Sequence, residues 1–463
     1  YSHNNIGYSG IYFYVGGNMI GIAGLGKSGI SAANLLLKNN NEIILFDSNK
    51  ELDSSLILSK FKGTENIKIV LGDLKDEDVK DIDYCVISPG IDLETDFVKN
   101  LKKAGIPVWG EIELGYKNAL GDLIAITGTN GKTTTTALVG EIMSAYKKSS
   151  FTVGNIGIPY TDIAELTTDS SVTVLETSSF QLETIIDFKP NISAILNITP
   201  DHLNRHHSME NYIKIKESIT KNQKDGDFCV LNYEDEELRR FGEKTLVKPC
   251  FFSSKRKLDE GFYLEDNFII KSHNGKVSEI LDVRKLNILG RHNYENAMAA
   301  IAICDCYGVP MDIIRKVCYN FQAVEHRIEF VKEVKGVRYY NDSKGTNPDA
   351  SIQAVNAMPS NTYLIAGGYN KGSDYNEWIK SFGDKVVLLV LMGETANDIA
   401  ECAKSHGFLN IEFANSMEEA VNICAGKARE KEYVLLSPAC ASWGMFKNYE
   451  ERGNIFKECV RSL

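Results

Sequence analysis

The stretch Leu123-Ile124-Ala125-Ile126-Thr127-Gly128-Thr129-Asn130-Gly131-Lys132-Thr133-Thr134 decides how the rest of the chain is read. Its apolar start predicts a short strand, the glycines a turn, and Lys132-Thr133 the start of a helix. Backbone N–H groups in such a turn can surround phosphate oxygens, and the helix dipole favours their charge. A lysine here can reach terminal phosphates, and the next hydroxyl can ligate Mg²⁺. The longer form of this pattern asks for glycine at 126, where the chain has Ile126. An ordinary glycine turn is the alternative. The strand before it and the run Thr133–Thr136 after it favour phosphate.

A second glycine turn lies upstream. The apolar strand Met19–Gly24 runs into Gly24-Leu25-Gly26-Lys27-Ser28-Gly29 and a helix through Leu37; the strand Glu42–Phe46 then ends at Asp47. Three glycines with an acid about 20 residues on form the dinucleotide fingerprint. Taken alone, that pattern points to a nicotinamide-linked oxidoreductase. The turn itself guarantees only room for an anionic group, and a nucleotide sugar diphosphate serves equally. A further strand, Tyr84–Ile87, leads into Ser88-Pro89-Gly90.

Downstream of the phosphate loop, one strand ends at Glu176 and another, Ile192–Ile198, at Thr199-Pro200-Asp201-His202. In open parallel sheets ligands gather beyond the C-terminal strand ends. If these strands flank the loop strand, Thr133, Glu176 and His202 converge as a set suited to a divalent metal. Alone, Glu176 is equally a solvated loop acid and His202 a packed or capping histidine. Ser208 can cap a helix running to about Gln223. On it Tyr212, Ile213, Ile215 and Ile219 mark an apolar arc, at about 100° per residue. Lys216 falls inside that arc, so it must snorkel, find a partner or lose its charge.

Strands at Val337–Tyr340, Tyr363–Ala366, Val386–Met392 and Tyr433–Leu436 run into polar turns, which predicts another doubly wound domain after about Phe321. The polar, strand-like Gly261–Leu289 reads as a hairpin excursion. At ~150 residues per domain, 463 residues make about three domains. The expected division is 1–111, 112–322 and 323–463: a Rossmann-like α/β domain, a central parallel-sheet ATPase-like domain and a C-terminal Rossmann-like α/β domain. A net charge of −11 argues against a nucleic-acid surface. No apolar run approaches the ~20 residues that span a bilayer. Ten scattered cysteines without a CxxC pair fit a reduced, cytoplasmic chain. Residues 1–18, rich in Tyr, Gly and Asn, make a poor signal peptide and are set aside as a possible extra segment.

From about Met19 onward the chain resembles the Mur ligases, ATP-dependent amide-forming enzymes of peptidoglycan precursor synthesis. The resemblance rests on Thr127–Thr134, on Gly290-Arg291-His292-Asn293-Tyr294-Glu295-Asn296-Ala297, on His326-Arg327 and on Asn341-Asp342-Ser343-Lys344. Three longer motifs resemble the branch that adds D-glutamate to UDP-N-acetylmuramoyl-L-alanine. They are Leu175–Leu182, Gly367–Asp374 and Leu436–Trp443. The chain departs from the family pattern at Asn204, Gly345 and Gly444, where Asp, Ala and Asp are usual.

The resemblance implies the following roles. Gly24, Leu25, Gly26, Lys27, Ser28, Asp47, Ser88, Pro89 and Gly90 hold UDP, without NAD, and Asn155 meets the muramoyl group. Gly128, Thr129, Asn130, Gly131, Lys132, Thr133, Thr134, Asn293, Asn296, Arg327 and Asp342 hold ATP. Thr133, Glu176, His202 and a carbamylated Lys216 serve two Mg²⁺ sites, with Lys132, His202 and Lys216 in catalytic roles. Lys371, Thr346, Ser442 and the backbone at Tyr449 bind D-glutamate. The partners implied are these small molecules alone, with no nucleic acid and no membrane insertion, on a monomer that closes around them. Another Mur-type or folylpolyglutamate-type ligase is the rival within the class.

Overall fold

The structure, a computed structural model, describes residues 19–463 apart from 73, 74, 156, 323 and 371, and the backbone alone of Asp76. These residues fold into two compact units. One holds residues up to Glu265, Ile269–Ile280 and Met298–Val317; the other holds Asp266–Phe268, Leu281–Ala297 and Cys318–Leu463. No helix among the described residues is long and apolar enough to cross a membrane.

The first sheet comprises β1 (Met19–Ala23), β2 (Glu42–Asp47), β3 (Ile67–Leu71), β4 (Ile82–Ile87) and β5 (Val108–Gly110). It is parallel in the order β3-β2-β1-β4-β5. The order reverses beside β1, so the first glycine turn sits at the crevice where such sheets take ligands. Ile20, Ile22, Ile43 and Leu45 from the strands pack on Leu35 and Leu36 of the helix Lys27–Lys38. Each such burial is worth roughly 1.5–3 kcal/mol.

The second sheet comprises β6 (Asp122–Thr127), β7 (Ser150–Gly154), β8 (Val172–Glu176), β9 (Ile192–Ile195), β10 (Phe228–Asn232), β11 (Lys248–Ser253), β12 (Gly261–Glu265), β13 (Phe268–His273) and β14 (Lys276–Asp282). Its order is β14-β13-β12-β11-β10-β9-β6-β8-β7. The loop strand β6 lies between β8 and β9, parallel to both, which meets the condition for Glu176 and the segment after β9 to stand at neighbouring strand ends. The stretch after Gly261 is two hairpins that extend the sheet. Their two-residue turns use the left-handed Asp266, Asn274 and Gly275.

The third sheet comprises β15 (Glu329–Val334), β16 (Val337–Asn341), β17 (Thr362–Ala366), β18 (Val386–Leu391), β19 (Ile411–Phe413) and β20 (Tyr433–Leu436). In the order β15-β16-β20-β17-β18-β19, only the β15–β16 pair is antiparallel.

Two boundaries differ from the sequence expectation. β9 ends at Ile195, because Leu196 N turns to Thr127 O and Ile198 N to the Asp235 carboxylate. The helix capped by Ser208 is Met209–Glu217, and it tightens into a 3₁₀ turn at Ser218–Thr220 instead of running to Gln223.

Candidate functional site

At the phosphate loop, β6 is followed by Gly128 (φ 151°), and Gly131 (φ 86°) precedes the helix Lys132–Tyr146. A Cβ on Gly128 would stand 3.0 Å from Leu196 Cβ. The helix has no side-chain cap and no acid in its first turn, so its first N–H groups suit an anion. Thr134 Oγ1 is buried there without a hydrogen-bond partner. Lys132 Nζ donates to Gly128 O and Thr129 O, each at 2.9 Å.

Lys216 is 1% exposed, and its Nζ donates to the same Gly128 carbonyl at 2.9 Å. The apolar arc therefore does bury it, with its ammonium 4.8 Å from the Tyr212 ring centroid. Burial, then the Lys132 charge, hold its pKa well below the ordinary lysine value, against the pull of Asp201. Two lysine amines thus meet at one carbonyl oxygen.

Glu176 is buried at the end of β8; its Oε1 accepts from Asn155 Nδ2 at 3.1 Å and its backbone O from Asn155 N at 2.9 Å. His202 is left-handed (φ 52°), with its ring 4.9 Å from that of Phe180 and Nε2 3.5 Å from Asp201. Among the described residues, the one cluster of three His, Cys, Asp or Glu side chains spaced for a metal is Glu325–His326–Glu329, not one built on Glu176 and His202. Lys457 pairs with both glutamates of that cluster, which offsets part of its charge. Any metal at Glu176 and His202 therefore needs ligands of other kinds.

Sequence reading missed two residues here. Asn197 Oδ1 accepts from Thr129 N (3.1 Å) and Asn130 N (2.8 Å), so these two loop amides are fixed by a side chain that follows β9. His206 is buried between Ser179 Oγ (2.9 Å) and Glu183 (3.1 Å), and burial with the charges of His202, Arg205 and Lys216 lowers its pKa to about 4.

At the first glycine turn, Gly24 has φ 84°, and a Cβ on Gly29 would lie 1.9 Å from Gly24 O. Ser88 Oγ donates to Gly24 O at 2.9 Å. Gly26 and Gly90 face open space. Asp47 accepts from Leu25 N (3.1 Å) and Asn49 N (3.0 Å), so the fingerprint acid is engaged by the turn's own backbone. Lys27 and Ser28 open the following helix, and Lys27 Nζ donates to Gly157 O. A cavity of about 370 Å³ lies beside this turn, lined by Leu25, Gly26 and Lys27 among others.

In the second unit, Asn293 and Asn296 are buried and bonded to each other at 3.2 Å, and Asn293 Nδ2 donates to Leu289 O. Arg327 stands between two left-handed residues, His326 (φ 64°) and Ile328 (φ 46°). Strain of this kind persists only where the surroundings over-determine it. Asp342 is fully buried, accepting from Ser437 Oγ (2.7 Å) and Ile328 N (3.3 Å). Burial lifts its pKa to about 6 against the charge of Arg327. A Cβ on Gly345 would come 2.4 Å from this carboxylate, and Gly444 has φ 87°; these are the local geometries of two of the departures from the family pattern.

Arg452, also missed, is 1% exposed; it donates to Ser343 Oγ (2.9 Å), Ser343 O (2.7 Å) and Cys440 O (3.1 Å), while Ser343 Oγ reaches Tyr449 O at 2.8 Å. Tyr369 N donates to Ala441 O at 2.9 Å and so joins the turns after β17 and β20. Ser442 is buried beyond that bridge, and Thr346 N bonds to Lys344 O. Lys371 lies outside the described residues.

Three consecutive stretches match family models: the Mur ligase MurD-like N-terminal domain (residues 18–110), the Mur ligase middle domain (126–304) and the Mur ligase, glutamate ligase domain (326–440). A UDP-N-acetylmuramoylalanine–D-glutamate ligase of Lachnoclostridium phytofermentans is 54% identical, covering 96% of this chain and 98% of its own. The protein of that name from Clostridioides difficile is 46% identical, covering 96% and 99%. Among solved structures, UDP-N-acetylmuramate-alanine ligase from Thermotoga maritima has a TM-score of 0.60 at 20% identity, over 96% of this chain and 99% of that one. MurF ligase from the same organism, in complex with ADP, has a TM-score of 0.59 at 16% identity, over 98% and 97%. The two structures share the fold. With sequence identities of that size over nearly its whole length, the chain belongs to the Mur ligase family, on the branch of the UDP-N-acetylmuramoylalanine–D-glutamate ligases.

Proposed function

We propose that this chain joins D-glutamate to UDP-N-acetylmuramoyl-L-alanine with ATP, through an acyl phosphate, in peptidoglycan precursor synthesis. The substrates come from the names of its relatives. The observation that carries the chemistry is the meeting of Lys132 and Lys216 on the Gly128 carbonyl, at an uncapped helix N-terminus. The Lys132 ammonium and the bare helix N–H groups at one turn suit a polyphosphate.

The terminal phosphates of ATP take the loop Gly128–Thr134, with Lys132 exchanging its carbonyl contacts for phosphate oxygens. Asn293, Asn296, Arg327 and Asp342 serve the nucleoside end. A substrate carboxylate oxygen attacks the terminal phosphorus and ADP leaves. The amine of D-glutamate then attacks the acyl carbon, and phosphate departs with the original carboxylate oxygen. Lys132 stabilises the charge on the transferring group.

Lys216, whose pKa burial holds well below the ordinary lysine value, would add carbon dioxide at its amine with release of a proton to give a carbamate; that anion, Thr133, Glu176 and His202 would hold two Mg²⁺ ions. Bound there, Mg²⁺ would offset the repulsion between the phosphates and the incoming carboxylate. The buried carboxylate of Glu176 and the buried amine of Lys216, its pKa held below the ordinary lysine value, fit that set.

The UDP-substrate takes the first turn, at Gly24–Ser28, Asp47 and Ser88–Gly90, with Asn155 at its muramoyl end. Thr346, Lys371, Ser442 and the Tyr449 backbone take D-glutamate. The domains run 1–111, 112–322 and 323–463, on a cytoplasmic monomer. The nicotinamide reading has less support, since Asp47 is engaged by Leu25 and Asn49.

The test is phosphate release. It is expected to need ATP, Mg²⁺, the UDP-substrate and D-glutamate together, with L-glutamate a poor acceptor. Equal turnover with L-glutamate would sink the assignment.

A further inference from the structure

Four side chains form a line of oxygens between the first and second sheets, within one compact unit. Glu111 opens the helix Glu111–Asn118, Ser31 lies on the helix Lys27–Lys38, and Thr161 and Asp162 lie on the short helix Tyr160–Ile163. Glu111 Oε1 accepts from Thr161 N at 2.7 Å and lies 2.8 Å from Thr161 Oγ1. Thr161 Oγ1 is 2.6 Å from Ser31 Oγ, which in turn meets Asp162 Oδ1. Glu111, Ser31 and Thr161 are all buried.

Each of the three oxygen–oxygen contacts needs a hydrogen between its partners. The two hydroxyls bring one each, and ionised carboxylates bring none. The third hydrogen has to sit on a carboxyl group at one end of the line. Asp162 is exposed, where water stabilises its charge; Glu111 is 2% exposed. Among the described residues no lysine, arginine or histidine pairs with Glu111.

We propose that Glu111 is a positioning residue of the UDP-substrate site, acting as a neutral carboxylic acid whose proton completes the line Glu111–Thr161–Ser31–Asp162. Glu111 donates to Thr161 Oγ1, Thr161 to Ser31 Oγ, and Ser31 to Asp162. The line fixes the helix that begins at Gly26 and Lys27 against the segment 154–163. That segment takes the Lys27 ammonium at Gly157 O and carries Asn155, which holds Glu176. Glu111 thereby sets the first glycine turn relative to Asn155. The 370 Å³ cavity beside the turn is lined by Ser31 and Asp162 of this line, with Lys27 and Lys60.

Burial raises the Glu111 pKa from its ordinary 4.5, against its bonds from Thr161 and together with the charge of Asp162. The other titratable group beside it is Tyr160 on the short helix, itself near Tyr116; on the first helix, Lys27 is held at Gly157 O and Lys38 is paired with Glu165. Glu113 on the same helix is committed to the N–H groups of Ile186, Asp187 and Phe188. A raised folded-state pKa gives stability that is full below the unfolded pKa and is lost as pH rises through the folded one. The line therefore weakens as pH rises through the folded-state pKa of Glu111.

The role rests on the UDP reading of the turn; the proton does not. In the unliganded protein at neutral pH, infrared spectra are expected to show a protonated-carboxyl stretch that Glu111→Gln removes. Glu111→Gln removes the titrating group, so its KM for the UDP-substrate is expected to lose the rise with pH that wild type shows. Thr161→Val breaks the line, and should raise that KM about tenfold with kcat nearly unchanged, as for one buried hydrogen bond. No carboxyl stretch, or one that survives Glu111→Gln and vanishes in Asp162→Asn, overturns the proton assignment. An unchanged KM in Thr161→Val overturns the positioning role; if that variant does not fold, a KM rise with pH that persists in Glu111→Gln does so instead. A wild type that shows the stretch but binds no UDP by calorimetry refutes the UDP reading and leaves the proton standing.

Discussion

The two glycine turns share a backbone and differ in the charges around it. Each follows a parallel strand, begins with a glycine at positive φ, and opens a helix with neither a side-chain cap nor an acid in its first turn. At Gly128 two lysines converge on one carbonyl. At Gly24 a carboxylate, Asp47, secures the turn, and Lys27 reaches away to Gly157. The backbone makes both turns hospitable to anions; the side chains separate a turn suited to stabilising a phosphate in motion from one suited to holding a handle still. A fold motif alone does not carry the function.

The largest effect that could break this contrast is at Lys132. Lys132→Ala is expected to lose on the order of 3 kcal/mol of transition-state stabilisation, about a hundredfold in turnover. Binding of the UDP-substrate, followed by calorimetry, should hardly change. Near-normal turnover would place Lys132 away from the transferring phosphate.

Lys216→Ala comes next. Turnover should fall at least about tenfold, as for residues that order a metal site. A small carboxylic acid added to the assay should restore part of it by filling the vacated anion position. Full activity without rescue would show that the buried lysine only packs.

Much of this contrast was legible in the sequence, because its signals are local. The glycine spacings, the strands before them and the apolar arc around Lys216 all lie within single elements. Asn197 and Arg452 were not legible. Asn197 acts on Thr129 and Asn130 only because β9 lies beside β6. Arg452 has acids at 450 and 451 beside it in the sequence, which reads as a solvated charge, yet it is buried on Cys440 and on Ser343, the latter from a turn distant in sequence. The shorter helix after Ser208 turns on where one helix tightens, which periodicity does not resolve.

Smaller effects sharpen the other side of the comparison. Asp47→Asn keeps an acceptor for Leu25 N but loses the charge, and should raise the KM for the UDP-substrate about fivefold with kcat unchanged, which is about 1 kcal/mol. Lys27→Ala removes an exposed contact and should change that KM no more than about threefold, less at high salt. A large fall in kcat from either variant would erase the division between the two turns.

The central claim is that a substrate carboxylate is activated by the phosphate of ATP before the amine attacks. It is tested most directly by labelling that carboxylate with heavy oxygen and weighing the products. The account predicts one heavy oxygen in the released phosphate for each D-glutamate joined, none in ADP, and one left in the new amide carbonyl. Released phosphate free of the label would contradict it.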